Sequence, residues 1–179
     1  MEHVVLGLLI IQSMTLYELN RAFQQGISTF YSASYGSLQI AVRNLLNKGL
    51  VVFEEKVEKG RNKKVYSITL QGKEAFYKWM FAEVPANKLE VTALSKLFFL
   101  GLIQGAEQKR QIIREILSKI QLVEEELKQM NDELNQLEVP VEHRAVFIYQ
   151  LKTLDYGIKA HSFAREWFQA LLHELLTFT

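Results

Sequence analysis

The chain contains no cysteine, which excludes a disulfide framework, a thiolate nucleophile and a thiolate metal site. Only two prolines and nine glycines occur among 179 residues, and 49% of the chain is hydrophobic, so a disordered Pro/Gly-rich chain is excluded as well. An excess of one charge is missing, the net charge being +1. Long apolar runs are missing too. Residues 4–11 are far too few to span a bilayer, and Met-Glu-His, rather than a basic segment, precedes them. These absences predict a cytoplasmic protein with no membrane partner.

Chemical signatures are equally sparse. The four histidines stand at 3, 143, 161 and 173, with no HExxH motif or close pair, and no nucleophile elbow, phosphate loop or dinucleotide fingerprint occurs. The expectation is therefore no enzyme, no cofactor, no catalytic residue and no metal. His161 falls on an apolar helical stripe, where a packing or dimer-contact role is expected.

What is present is helical periodicity, interrupted once. Residues 2–12 are apolar on nearly every side, suiting a buried helix. Thr15 and Glu18 form a capping-box pattern before a second helix with Leu16, Leu19 and Phe23 on its inner face. Leu38, Val42, Leu45 and Leu46 mark a third helix, with Gly49 as its C-terminal cap signal. The runs LVVFEEKV and KVYSITL then predict a β-hairpin around Gly60, with the cationic cluster KGRNKK at its tip. Thr69 caps a fourth helix carrying Ala75, Phe76, Trp79 and Met80. Pro85 makes a break, and Asn87 with Glu90 gives another capping signal. The predicted boundary separates residues 1–84 from 85–179. Charge divides in the same region: residues 1–80 hold ten Lys/Arg against six Asp/Glu, the remainder eleven against fourteen.

Beyond the boundary, Ile113, Ile116, Ile120, Val123, Leu127, Met130, Leu134 and Leu137 alternate spacings of three and four, the seam of a coiled coil. A helix from 105 to 137 would be roughly 50 Å long at about 1.5 Å per residue and needs a partner. The run Phe147, Leu151, Leu154, Ile158, His161, Ala164, Phe168, Leu171, Leu175 and Phe178 offers one in the same chain, as an antiparallel hairpin. Tyr149, Tyr156, Phe163 and Trp167 lie off that seam and predict a further interface, most simply a homodimer. Ile116, Ile120, Val123, Leu127, Leu151, Leu154, Ile158 and Trp167 are the candidate dimerisation residues. The fold class expected is mainly α with a small β-hairpin: an N-terminal winged helix-turn-helix, then a C-terminal antiparallel helical or coiled-coil domain.

In a winged helix-turn-helix the third helix enters the DNA major groove and the hairpin follows the backbone. Candidate DNA contacts are Ser34, Tyr35, Ser37, Gln39 and Arg43 around the third helix, with Lys59, Arg61, Lys63 and Lys64 on the wing to meet phosphates. A solvated, lysine-rich turn is the plainer reading of the wing. Trp79, Phe98, Tyr149 and Tyr156 are candidate contacts for a flat aromatic or apolar effector, although aromatics at helical spacing also serve as core. The alternative function is a protein-interaction module built from the winged helix and coiled coil.

The segments VVLGLLIIQSMTLYEL, FYSASYGSLQIAVRNLLNKGLVVF and KVYSITLQGKEAFYKWM resemble the PadR family of bacterial transcriptional regulators over about residues 4–80. The resemblance implies a homodimeric repressor that reads palindromic double-stranded DNA and is released by a small molecule, and it adds Tyr17 to the DNA-facing residues. Two departures stand out. Thr15-Leu16-Tyr17 replaces the family's Ser-Gly-Tyr turn, and Leu38-Gln39-Ile40 replaces its Ile-Tyr-Pro segment. The second change lies on the reading helix and implies an altered DNA surface.

Overall fold

The computed structural model describes residues 1–58 and 61–177. Lys59 and Phe178 lie outside the described residues. The chain divides into two compact units, Met1–Glu83 with Glu90–Leu102, and Val84–Leu89 with Ile103–Thr179.

The first unit begins with α1 (Glu2–Ile11), whose Val4, Val5, Leu6, Leu8 and Leu9 are all buried. Such burial on several sides is why its sequence shows no polar face. A two-residue strand β1 (Met14–Thr15) leads into α2 (Leu16–Gln25), opened by the expected capping box. The Thr15 hydroxyl accepts the Glu18 amide at 3.3 Å, and the Glu18 carboxylate accepts the Thr15 amide at 2.8 Å. Leu19 and Phe23 face the core from this helix.

Helix α3 (Tyr35–Asn47) buries Leu38, Ala41, Val42 and Leu45. It ends in a Schellman turn: the Leu50 amide reaches the Leu45 carbonyl and the Gly49 amide the Leu46 carbonyl, both at 3.0 Å. The turn requires φ of +67° at Gly49, which glycine adopts without a Cβ penalty. Strands β2 (Val51–Glu58) and β3 (Arg61–Ile68) follow, then α4 (Leu70–Phe81), capped by Thr69. The Thr69 hydroxyl donates to the Gly49 carbonyl at 2.9 Å and accepts the Gly72 amide at 3.0 Å. A Cβ at Gly72 would sit 2.1 Å from the Leu50 carbonyl oxygen. This close approach fixes the start of the wing against both α3 and α4.

Two features differ from expectation here. The sheet has three antiparallel strands in the order β1-β3-β2, with Met14 opposite Tyr66 and Thr15 opposite Val65. Two residues between helices carry no periodicity, so β1 is visible only through its distant partner. The hairpin is also longer than KGRNKK at a tip implies. Pairing runs from Val51 opposite Ile68 to Glu58 opposite Arg61, so Arg61, Lys63 and Lys64 belong to β3, not to a loop.

Helix α5 (Leu89–Phe98) follows a 3-10 turn, Ala86–Lys88. Asn87 sits inside that turn, not at the cap of α5, because the chain is already winding when it reaches this residue. From α5 the buried Lys96 donates to the carbonyl of Ala82, the C-cap of α4, where a cation complements the helix dipole. Phe99 meets Phe76 edge to face at 5.7 Å, an arrangement aromatic quadrupoles favour.

The second unit contains α6 (Ala106–Asn135) and α7 (Arg144–Thr177). They run antiparallel: Arg110 donates to the Leu175 carbonyl at 3.1 Å, Arg165 to Glu124 at 2.8 Å, and Gly157 lies opposite Leu127. Ile113, Ile116 and Ile120 are buried, Val123, Leu127 and Leu134 half-buried. The seam ends earlier than its spacing suggests. Met130 is 49% exposed and Leu137 59% exposed, the latter beyond the end of the helix. None of the described helices is long and apolar enough to cross a membrane. The two units are a winged helix-turn-helix and a long antiparallel helical pair.

Candidate nucleic-acid interface

The face of α3 opposite its buried stripe carries Gly36, Gln39, Ile40 and Arg43, all exposed and spaced to lie together on one side of a helix. Its first turn is held by two reciprocal bonds. The Ser34 hydroxyl accepts the Ser37 amide at 3.1 Å, and the Ser37 hydroxyl donates to the Ser34 carbonyl at 2.7 Å. Both serines therefore shape the helix start, and the Ser34 hydroxyl keeps its own proton to donate. Tyr35 is exposed beside them, and Tyr17 projects from the first turn of α2 at 70% exposure.

An open cleft of about 460 Å³ runs along this face, with Leu16 and Tyr66 opposite Gln39, Ile40 and Arg43. Burial, with Tyr35 nearby, pushes the Tyr66 phenol above its ordinary pKa, so it stays a neutral donor at physiological pH. The cleft thus combines an apolar floor with amide, guanidinium and phenol groups. Such a set suits base edges, which present hydrogen-bonding atoms and methyl groups side by side.

On the wing, Lys56 stands directly opposite Lys63 and Glu55 opposite Lys64. Like charges facing across a ladder repel, but Lys56 also lies 3.7 Å from Glu54, and Lys63 is near enough to Glu18 to help hold that carboxyl below its ordinary pKa. Lys64 lies 4.3 Å above the Phe53 ring and 3.8 Å from Glu55. The side chain of Arg61 is not among those described. Lys56 was not singled out by motif or composition, and Ile40 only as part of the departure Leu38-Gln39-Ile40. The hairpin register would have revealed Lys56, and the helical phase of α3 would have revealed Ile40.

The candidate effector and dimer residues are divided between the two units. In the first unit, Trp79 stacks on His3 with centroids 4.9 Å apart, while Phe98 packs against Phe99 at 5.0 Å. In the second, Tyr149 and Tyr156 are each 75% exposed on α7. Leu151, Leu154 and Ile158 are half-buried on α7, whereas Trp167 lies on its exposed side. His161 is half-buried, its Nδ1 2.8 Å from the Gly157 carbonyl. Among the described residues no group of acidic or histidine side chains could hold a metal ion.

Residues 5–78 match the Transcriptional regulator PadR-like family. The Negative transcriptional regulator PadR of Bacillus subtilis is 21% identical over 109 residues, and the match spans 60% of this chain and 60% of that relative. Among solved structures, Bacillus subtilis PadR in complex with operator DNA aligns over 97% of this chain and 98% of its own, at 17% identity and TM-score 0.45. A PadR-like transcriptional regulator from Bacillus cereus aligns over 97% and 94%, at 26% identity and TM-score 0.44. The winged-helix segment built around α3 and the wing is the part of the chain that matches the model of this transcriptional-regulator family.

Proposed function

We propose that the chain is a cytoplasmic, homodimeric, DNA-binding repressor reading a palindromic operator. The observation that carries the proposal is the α3 face, where Gln39 and Arg43 stand exposed beside Gly36 and Ile40 along the cleft, in a domain of a regulator family. Tyr17, Ser34, Tyr35 and Ser37 flank that face, and Lys63 and Lys64 serve the backbone from the wing. Arg61 and Lys59 extend the same basic run in sequence.

Dimerisation is assigned to α7. Tyr149, Thr153, Tyr156, Ala160, Phe163, Trp167 and Ala170 alternate spacings of four and three, and every one is exposed. This is a second heptad seam that α6 leaves uncovered. Two subunits then present two α3 helices to half-sites about one helical turn, roughly 34 Å, apart. Release by a small aromatic or apolar effector belongs to the same reading. An effector works only through different affinity for the bound and released states.

The test is selection of fragmented genomic DNA by the purified protein at near-physiological salt, followed by sequencing. Enrichment of a palindrome is expected. Failure to enrich any sequence would overturn the proposal and leave a protein-interaction module, for which the exposed aromatic seam of α7 would be the working surface.

A further inference from the structure

Two residues on the exposed face of α3 are not called for by its core packing. Gly36 lies in the first turn of α3 without positive φ, and a Cβ built there meets nothing nearer than the Ser34 hydroxyl at 3.8 Å. Alanine would fit and would favour the helix, yet the position is bare. Ile40, one turn on, is 51% exposed, while the core side of α3 is already filled by Leu38, Ala41, Val42 and Leu45. It lies beside Gln39 and one turn from Arg43, an apolar side chain set among groups suited to hydrogen-bonding bases.

The major groove offers one apolar feature, the C5-methyl of thymine, and adenine is the base that an amide side chain pairs through two hydrogen bonds. We propose that α3 reads an A·T step, with Ile40 packed on a thymine methyl and Gln39 on an adjacent adenine, while the bare Gly36 lets the first turn approach the DNA closely. This rests on the DNA-reading function proposed above and specifies what that site recognises. Gly36 and Ile40 thereby become specificity residues, although neither can donate or accept a side-chain hydrogen bond.

The experiment uses the full-length protein and the duplex recovered by genomic selection, with each thymine replaced in turn by deoxyuracil so that only a methyl is removed. In each half-site one such replacement is expected to weaken wild-type binding about fourfold, the value of one buried methyl-sized group. Ile40→Ala is expected to bind more weakly and to be indifferent to that methyl. Gly36→Ala should melt no lower than wild type yet lose about tenfold or more in affinity. The inference is overturned if no methyl matters, if Ile40→Ala keeps the same methyl dependence, or if Gly36→Ala binds like wild type. Recovery of no duplex would remove the DNA-reading function itself, whereas a recovered duplex without methyl dependence removes only this inference.

Discussion

Individual side chains in the first unit carry two consequences that are open to measurement. His3 lies nearly parallel to Trp79, at 8° between planes. Burial first, and then the positive N-terminal ammonium, lowers its pKa from 6.5 to about 4. The unfolded chain takes up this proton near pH 6.5 while the folded one refuses it until about pH 4. Stability from neutral His3 is therefore complete above pH 6.5, declines below it, and is lost once pH falls through about 4. His3→Phe should flatten the denaturant midpoint across that window, and an unchanged acid slope would reject the assignment. The facing Lys56 and Lys63 give the second. Replacing both by alanine should lower the salt slope of DNA binding by about 1.8, at about 0.9 per phosphate contact. A slope equal to wild type would remove these lysines from the backbone contact.

Helices and strands are joined by contacts whose energies can be bounded. Gly72 brings the first turn of α4 against the Leu50 carbonyl, so Gly72→Ala should destabilise the winged helix by about 1–3 kcal/mol through overpacking. Urea melts would register this as an earlier midpoint with an unchanged slope. Between α6 and α7 the buried Glu124 accepts from Lys128 at 2.6 Å and from Arg165 at 2.8 Å. Burial works against its charge, but these two bonds outweigh it and hold the carboxyl below its ordinary 4.5. Because the folded pKa is depressed, the contribution is present above pH 4.5 and disappears as pH falls through the lower folded value. Arg165→Ala leaves the buried carboxylate with one partner fewer and should cost about 2 kcal/mol at neutral pH. The difference from wild type should vanish in strong acid. A charged residue at this point also fixes the register of α6 against α7, which aliphatic seams specify poorly.

For the molecule as a whole, the proposed dimer surface is the outer seam of α7. Tyr156→Glu with Phe163→Glu alters only exposed positions, so helical content should persist while light scattering reports a monomer. Binding to a duplex with two half-sites should fall steeply, since joined half-sites raise effective concentration without new contacts. A dimer that survives both substitutions would place the interface elsewhere. Oligomeric state and half-site spacing belong to this scale because no residue of α3 can set the distance between two copies of itself.

Much of the fold was legible because local chemistry specified it. The capping box at Thr15 and Glu18, the glycine turn after α3, and the threonine cap of α4 are each satisfied within a few residues of chain, so sequence order alone marks them. The α6 seam was legible through its period, and α3 through the elements that precede the hairpin. What sequence did not disclose depends on partners distant in the chain. β1 exists through pairing with β3, and the lysine pair through the register of β2 against β3. Glu124 looks like a surface residue within EEEL until Arg165 meets it from α7. The sequence by itself therefore determined the order of the helices and the hairpin, the starts of α2 and α4 and the end of α3, because capping and periodicity are satisfied locally. Only the tertiary structure decided which residues face one another across strands and helices, because register is set by packing between segments far apart along the chain.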